Sequence, residues 1–138
     1  MNDTLEKKYE NCVLSAYLDA VANPPTWTIG WGHTGKDVYQ GLVWTQAQAD
    51  DALLHDVNSA CALLEMYSPG LVNGTLEALT DFVFNIGIGN YRNSTLCQLV
   101  NAQNWTAAKA EILKWDHSNG KVVPGLLTRR EEEAALIQ

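Results

Sequence analysis

Glu10-Asn-Cys-Val-Leu-Ser-Ala-Tyr-Leu-Asp19, then Ala20-Val-Ala-Asn-Pro-Pro-Thr-Trp27, then Thr28-Ile-Gly-Trp-Gly-His-Thr-Gly35 is the stretch whose reading decides the fold. Just before it, Leu5, Tyr9 and Cys12 recur at helical spacing and predict a short helix over residues 4–12, capped by Thr4. Glu10 then falls near the C-terminal end of that helix. From Leu14 to Val21 the period changes to two: Ser15, Tyr17, Asp19 and Val21 alternate against Leu14, Ala16, Leu18 and Ala20, as in a strand. Asn23-Pro24-Pro25 breaks the chain. Thr26 to Thr34, rich in Thr, Trp and Ile with Gly30 and Gly32 inside, predicts a short bent strand. Gly35-Lys36-Asp37 reads as a turn, and Val38 to Trp44 as a further short strand. Glu10 and Asp19 thus offer two carboxylates in different surroundings, the minimum equipment for cleaving a glycosidic bond.

Outward from this segment the chain turns helical. Thr45 is a good N-cap for a long helix to about Met66, with Leu53, Val57, Ala60 and Leu64 on one stripe. Ser68-Pro69-Gly70 ends it. Thr75 to Ile86 predicts a helix with two apolar faces, Leu76, Leu79, Val83 and Ile86 on one and Ala78, Phe82 and Asn85 on the other, which belongs inside a helical core. Gly87-Ile88-Gly89-Asn90 stops it. Asn93 or Ser94 caps a short helix through Val100, and Trp105, Ala108, Ile112 and Trp115 share one side of the next. Asp116 to Gly120 reads as a loop. Thr128-Arg129-Arg130-Glu131 has the form of a capping box for a last helix. The fold class is therefore α+β, with β structure confined to the N-terminal part.

The bulk numbers exclude several function classes. The chain has 138 residues, with 16 acidic and 9 basic ones and a net charge of −7. Phosphate neutralisation is a poor basis for binding here, so nucleic acid is not expected as a partner, nor is anionic lipid. No apolar run approaches the roughly 20 residues that cross a bilayer. The opening Asn2-Asp3-Thr4-Leu5-Glu6-Lys7-Lys8 lacks the apolar core of a secretion signal. The three cysteines, Cys12, Cys61 and Cys97, lack metal-ligand spacing and read as buried thiols, with one bridged pair as the alternative.

Glu10, Asp19 and Thr28-Ile-Gly-Trp-Gly-His-Thr-Gly-Lys36 resemble the opening of phage lysozymes, the endolysins of tailed bacteriophages. Phe82-Val-Phe-Asn-Ile-Gly-Ile-Gly-Asn90, Asn93-Ser-Thr-Leu96, and Gly120-Lys-Val-Val-Pro-Gly-Leu126 with Arg129-Arg130-Glu131 look like that family's later blocks, in the same order. The resemblance implies a lysozyme-like fold in one domain over residues 1–138: a small lobe at about 10–45, a connecting helix at about 46–66, and a helical lobe at about 67–138 together with the first helix, with a cleft between the lobes. It implies a muramidase that cleaves the β-1,4 bond between N-acetylmuramic acid and N-acetylglucosamine in peptidoglycan, with inversion. The chain departs from the family at Asn11, where a Gly usually follows the Glu, and in a longer interval between Asp19 and Thr28.

Carried onto this chain, the family's catalytic set is Glu10, Asp19 and Thr28. Glu10 is the general acid, a role that requires a carboxyl keeping its proton near neutral pH; the negative end of a helix dipole and apolar neighbours both act in that direction. Asp19 stays ionised, stabilises the oxocarbenium-like transition state and helps activate a water. Thr28 holds that water, and Thr26 is the other available hydroxyl. Thr34, Phe84, Asn85, Ser94 and Thr95 are candidates for sugar binding. Phe84 serves a core equally well, and Arg129 and Arg130 either meet wall carboxylates or lie solvated at a helix start. His33 reads as structural, buried or paired with a carboxylate; His55 and His117 have no evident partner. The resemblance implies no cofactor or metal, and a monomer that accumulates in the host cytoplasm and reaches the wall through a holin or similar partner. Two alternatives stand beside this reading: a lytic transglycosylase using Glu10 alone, and a wall-binding module without catalysis.

Overall fold

The computed structural model describes residues 2–118 and 120–138. The described chain divides into two compact units, residues 2–57 and 58–138.

In the first unit α1 (Thr4–Tyr9) is shorter than the 4–12 spacing predicts. Its start uses no side-chain cap: Thr4 lies inside the helix, and its N–H donates to Asn2 Oδ1 at 3.3 Å. Glu10 leaves the helix with extended backbone, so Cys12 is not part of it. The strands β1 (Val13–Asp19), β2 (Thr26–Gly30) and β3 (His33–Thr34) form one antiparallel sheet in that order. Thr26 to Thr34 is thus a hairpin and not one bent strand. Gly30 and Gly32 have φ of +65° and +83°, the left-handed region that turns the chain and that side chains resist. The Val38–Trp44 strand does not form. That segment instead lies along β1 through the isolated Ser15–Val43 bridge, with the Ala16 N–H donating to Leu42 O and the Trp44 N–H to Leu14 O.

Thr45 caps α2 (Gln46–Tyr67) as expected. Its hydroxyl accepts the Gln48 N–H at 3.2 Å while Gln48 Oε1 accepts the Thr45 N–H at 2.8 Å, a reciprocal capping box. Leu53 and Val57 of its apolar stripe are buried, as are Ala60 and Leu64 further along.

In the second unit α3 (Asn73–Ile86) lies at the centre of the core, buried on most sides from Thr75 to Val83. Around it run α4 (Ile88–Arg92), α5 (Thr95–Asn101), α6 (Trp105–Ile112) and α7 (Pro124–Leu136). Phe82 meets Tyr91 and Trp115 edge-on, with ring centroids 6.3 and 5.6 Å apart, geometry that suits the ring quadrupoles. Of the two residues offered as cap for α5, Ser94 does the work, accepting the Cys97 N–H at 3.0 Å.

The segment read as a loop carries a two-stranded ladder, β4 (His117–Ser118) with β5 (Lys121–Val122); its Asn119 lies outside the described residues. The capping box at Thr128 is absent. The helix starts four residues earlier at Pro124, whose missing N–H suits a first turn, and Thr128 donates to Pro124 O from inside it. Arg129 and Arg130 are therefore neither solvated nor available to a wall carboxylate. Both are buried.

Candidate functional site

Register decides what shares a face in the sheet. Tyr17 lies opposite Thr28, and Asp19 opposite Thr26. Thr28 in turn lies opposite Thr34, and Ile29 opposite His33. Directly opposed residues point to the same side, and residues two apart on a strand do so as well. One face therefore carries Tyr17, Asp19, Thr26, Thr28 and Thr34. The other carries Leu18, Trp27, Ile29 and His33.

Asp19 ends β1, and its Oδ1 accepts the N–H groups of Val21 at 3.0 Å and Ala22 at 3.3 Å. This side-chain-to-backbone turn fixes the carboxylate's direction. Thr28 is 4% exposed. Its hydroxyl donates to Thr26 O at 3.1 Å, which leaves its lone pairs to accept. The Thr26 hydroxyl donates to Pro24 O at 2.8 Å.

Glu10 caps the end of α1, its N–H donating to Glu6 O at 2.8 Å. Its Oε2 lies 3.5 Å from the point where a Cβ on Gly32 would stand. The hairpin turn thus brings its backbone up to the Glu10 carboxylate. The Tyr17 hydroxyl registers both acids: burial raises its pKa, and the charges of Asp19 and then Glu10 raise it further. Glu10, Asp19 and Thr28 consequently belong to one neighbourhood within residues 2–57. A carboxyl at one edge, a second fixed among backbone donors, and a hydroxyl with free lone pairs can protonate a leaving oxygen and hold a water.

Tyr17 was not among the residues singled out from the sequence, although the alternation that placed Asp19 on a strand places Tyr17 beside it. Of the sugar-binding candidates, Thr34 is exposed on this face. The other four lie in residues 58–138. Phe84 is half-buried against the helical core, and Asn85 Oδ1 accepts from Arg130 at 2.9 Å. The Ser94 hydroxyl donates to Tyr91 O at 2.5 Å besides capping α5. Ser94 and the exposed Thr95 line an open groove with Asn90, Asn93, Lys114 and Trp115.

His33 points away from Asp19. Its Nδ1 lies 2.6 Å from Asp56 and its Nε2 3.0 Å from Asp37, with the Trp44 ring 5.4 Å away. Burial works to lower the His33 pKa, but the hydrogen bonds and charges of Asp56 and Asp37 outweigh it, and the net shift is upward. The His33 hydrogen bond in turn lowers the Asp37 pKa. His55 and His117 do have carboxylate neighbours, Asp56 at 3.5 Å and Asp116 at 2.6 Å. Among the described residues no group of three or more His, Cys, Asp and Glu side chains is placed to hold a metal ion and no cysteine is bridged; of the three thiols expected to be buried only Cys97 is, Cys12 and Cys61 being half-buried. No helix among them is long and apolar enough to cross a membrane.

The raised His33 pKa has a defined consequence. A proton held more tightly in the folded state stabilises it fully below the unfolded pKa of about 6.5, and that gain is lost as pH rises through the folded value. The depressed Asp37 pKa contributes above the unfolded carboxylate range and is lost as pH falls. Asp56→Asn is expected to cost on the order of 1 kcal/mol near pH 5.5 and less near pH 8, measured by urea unfolding at both. An equal cost at both pH values would contradict the assignment.

In residues 58–138 the conspicuous polar cluster is buried. Arg129 donates from Nε and a terminal nitrogen to Asp81 at 2.8 and 2.6 Å. Arg130 reaches Glu133 at 2.8 Å and stacks 4.9 Å from the Phe82 ring centroid. Burial pushes the Glu133 carboxyl upward against the pull of Arg130. Arg129 and Asp81 tie α7 to α3 inside the helical core, while the buried Arg130 Nη1 makes no hydrogen bond among the described residues.

A small antiparallel sheet bearing Asp19 and Thr28, with Glu10 against its hairpin turn, followed in sequence by a buried helix ringed by others, defines a lysozyme-like α+β protein. The phage lysozyme family matches residues 7–133, and the chain belongs to that family. An endolysin of Bacillus phage B103 is 37% identical over 133 residues, 96% of this chain but 50% of that protein. An endolysin of Acyrthosiphon pisum secondary endosymbiont phage 1 is 37% identical over 139 residues, covering 97% of this chain and 92% of that protein. The chain thus spans about half the length of the first relative and nearly all of the second. Among solved structures, the muramidase domain of SpmX from Asticaccaulis excentricus matches with a TM-score of 0.83 at 28% identity, covering 96% of this chain and 90% of that one.

Proposed function

We propose that the chain is an endolysin muramidase that hydrolyses the β-1,4 bond between N-acetylmuramic acid and N-acetylglucosamine in peptidoglycan. Residues 1–138 act as one catalytic domain, with the small lobe, connecting helix and helical lobe drawn from the resemblance. Glu10 protonates the leaving oxygen. Asp19 remains negative, stabilises the positive charge that develops on the sugar, and with Thr28 activates the attacking water. Thr26, directly opposite Asp19, is the other hydroxyl on that face. Thr34, Phe84, Asn85, Ser94 and Thr95 bind the glycan. The enzyme is a monomer, needs no cofactor, and passes from the host cytoplasm to the wall through a holin or similar partner.

The observation that carries this reading is the gathering of Asp19 and Thr28 on one sheet face with Glu10 held against the adjoining turn. Membership of the phage lysozyme family supports it. A water-mediated inverting reaction requires carboxyls roughly 6.5–9.5 Å apart, with room for water on the far side of the sugar. Purified peptidoglycan digested with the protein is expected to yield free reducing muramic acid ends of initially inverted configuration, read by proton NMR and mass spectrometry. Products ending in 1,6-anhydro sugars would instead establish a transglycosylase. An inert protein that still binds wall would establish a binding module.

A further inference from the structure

We propose that Tyr17 is a further substrate-contacting residue of this site, its phenolic hydroxyl donating a hydrogen bond to the sugar held beside Glu10 and Asp19. The proposal rests on the muramidase reading above and adds a residue to it.

Tyr17, Thr28 and Thr34 are opposed in turn across the three strands, so they form one row on the Asp19 face. Side chains so opposed have Cβ atoms about 4.5–5.5 Å apart. Asp19 follows two residues along the same strand and on the same side. Tyr17 is 41% exposed, so this row presents its aromatic end to solvent. An apolar ring with a polar tip suits a sugar, which offers both C–H faces and hydroxyls.

The hydrogen-bonding groups on this face are complementary to a donor. Ionised Asp19 accepts hydrogen bonds and donates none, and Thr28 has spent its proton on Thr26 O. Sugar hydroxyls and the acetamido carbonyl also need donors. The phenol supplies one. Burial and the fields of Asp19 and Glu10 keep its proton in place well above neutral pH, so it stays a neutral donor among acceptors. A tyrosine present only for its strand preference would be exchangeable for phenylalanine. That contrast defines the test.

Tyr17→Phe removes the hydroxyl and keeps the ring. The expected result is a roughly tenfold fall in kcat/KM on purified peptidoglycan with Tm unchanged. In the Glu10→Gln background, adding Tyr17→Phe should weaken the Kd for a tetrasaccharide of alternating N-acetylglucosamine and N-acetylmuramic acid by about the same factor, measured by calorimetry. Lysis and saccharide affinity both equal to the parent proteins would overturn the proposal. So would a loss of lysis that follows a lowered Tm while saccharide affinity is unchanged. An inert wild-type protein would overturn the muramidase reading beneath it, an outcome distinct from equal activities.

Discussion

Glu10→Gln is expected to abolish wall lysis while leaving the protein folded. The substitution preserves size and shape, and the backbone contact that ends α1, the Glu10 N–H to Glu6 O, does not involve the side chain. What disappears is the transferable proton. Loss of a positioned general acid costs between about 10²- and 10⁴-fold in rate, so turbidity of a wall suspension should barely fall over the period in which wild type clears it. Circular dichroism and thermal unfolding of the variant should overlay those of wild type. Retained lysis would remove Glu10 from the mechanism, whatever the fate of Asp19.

The largest stability effect is expected at Asp81→Ala. Asp81 is 0% exposed and takes two hydrogen bonds from Arg129, which is itself 3% exposed. Guanidinium keeps its charge at any accessible pH, so removing Asp81 takes from a buried cation the carboxylate it bonds at 2.8 and 2.6 Å, and Glu133 at 3.9 Å is the acid that remains beside it. Breaking a buried pair in this way costs about 3–5 kcal/mol. For a chain of this length that corresponds to a fall in Tm on the order of 10 °C. The double variant Asp81→Leu/Arg129→Met removes both charges and should recover much of the loss, because apolar replacements of a buried pair are often neutral. A denaturation cycle over the single and double variants measures the coupling. A near-zero coupling energy would show that the two side chains do not depend on one another.

How much of this was legible in the sequence follows from the range of the interactions. The α2 boundary was readable because its cap is local: Thr45 and Gln48 exchange hydrogen bonds three residues apart. Its apolar stripe was readable because burial imposes a period. The strand containing Asp19 was readable for the same reason, and Tyr17 was present in that pattern without being drawn from it. The hairpin turn was missed because Gly30 and Gly32 are compatible with both a bent strand and a left-handed turn, and pairing with β3 decides between them. The buried arginines were misread because Thr128 to Glu131 satisfies a local cap pattern. Pro124 was the signal for the true start. Asp81, the partner of Arg129, stands 48 positions from it, a distance over which no local pattern reports. His33 and Asp37 at i, i+4 were within reach of a pattern argument, whereas Asp56 was not.

The proposed hydrolysis requires that Glu10 and the Asp19 face of the sheet hold the sugar. Nuclear magnetic resonance of the isotopically labelled Glu10→Gln protein, titrated with the same tetrasaccharide, tests it directly. Amide shifts that saturate at Tyr17, Asp19, Thr28, Gly32 and Thr34 are the expected result. Saturable binding that leaves these amides unmoved would contradict it.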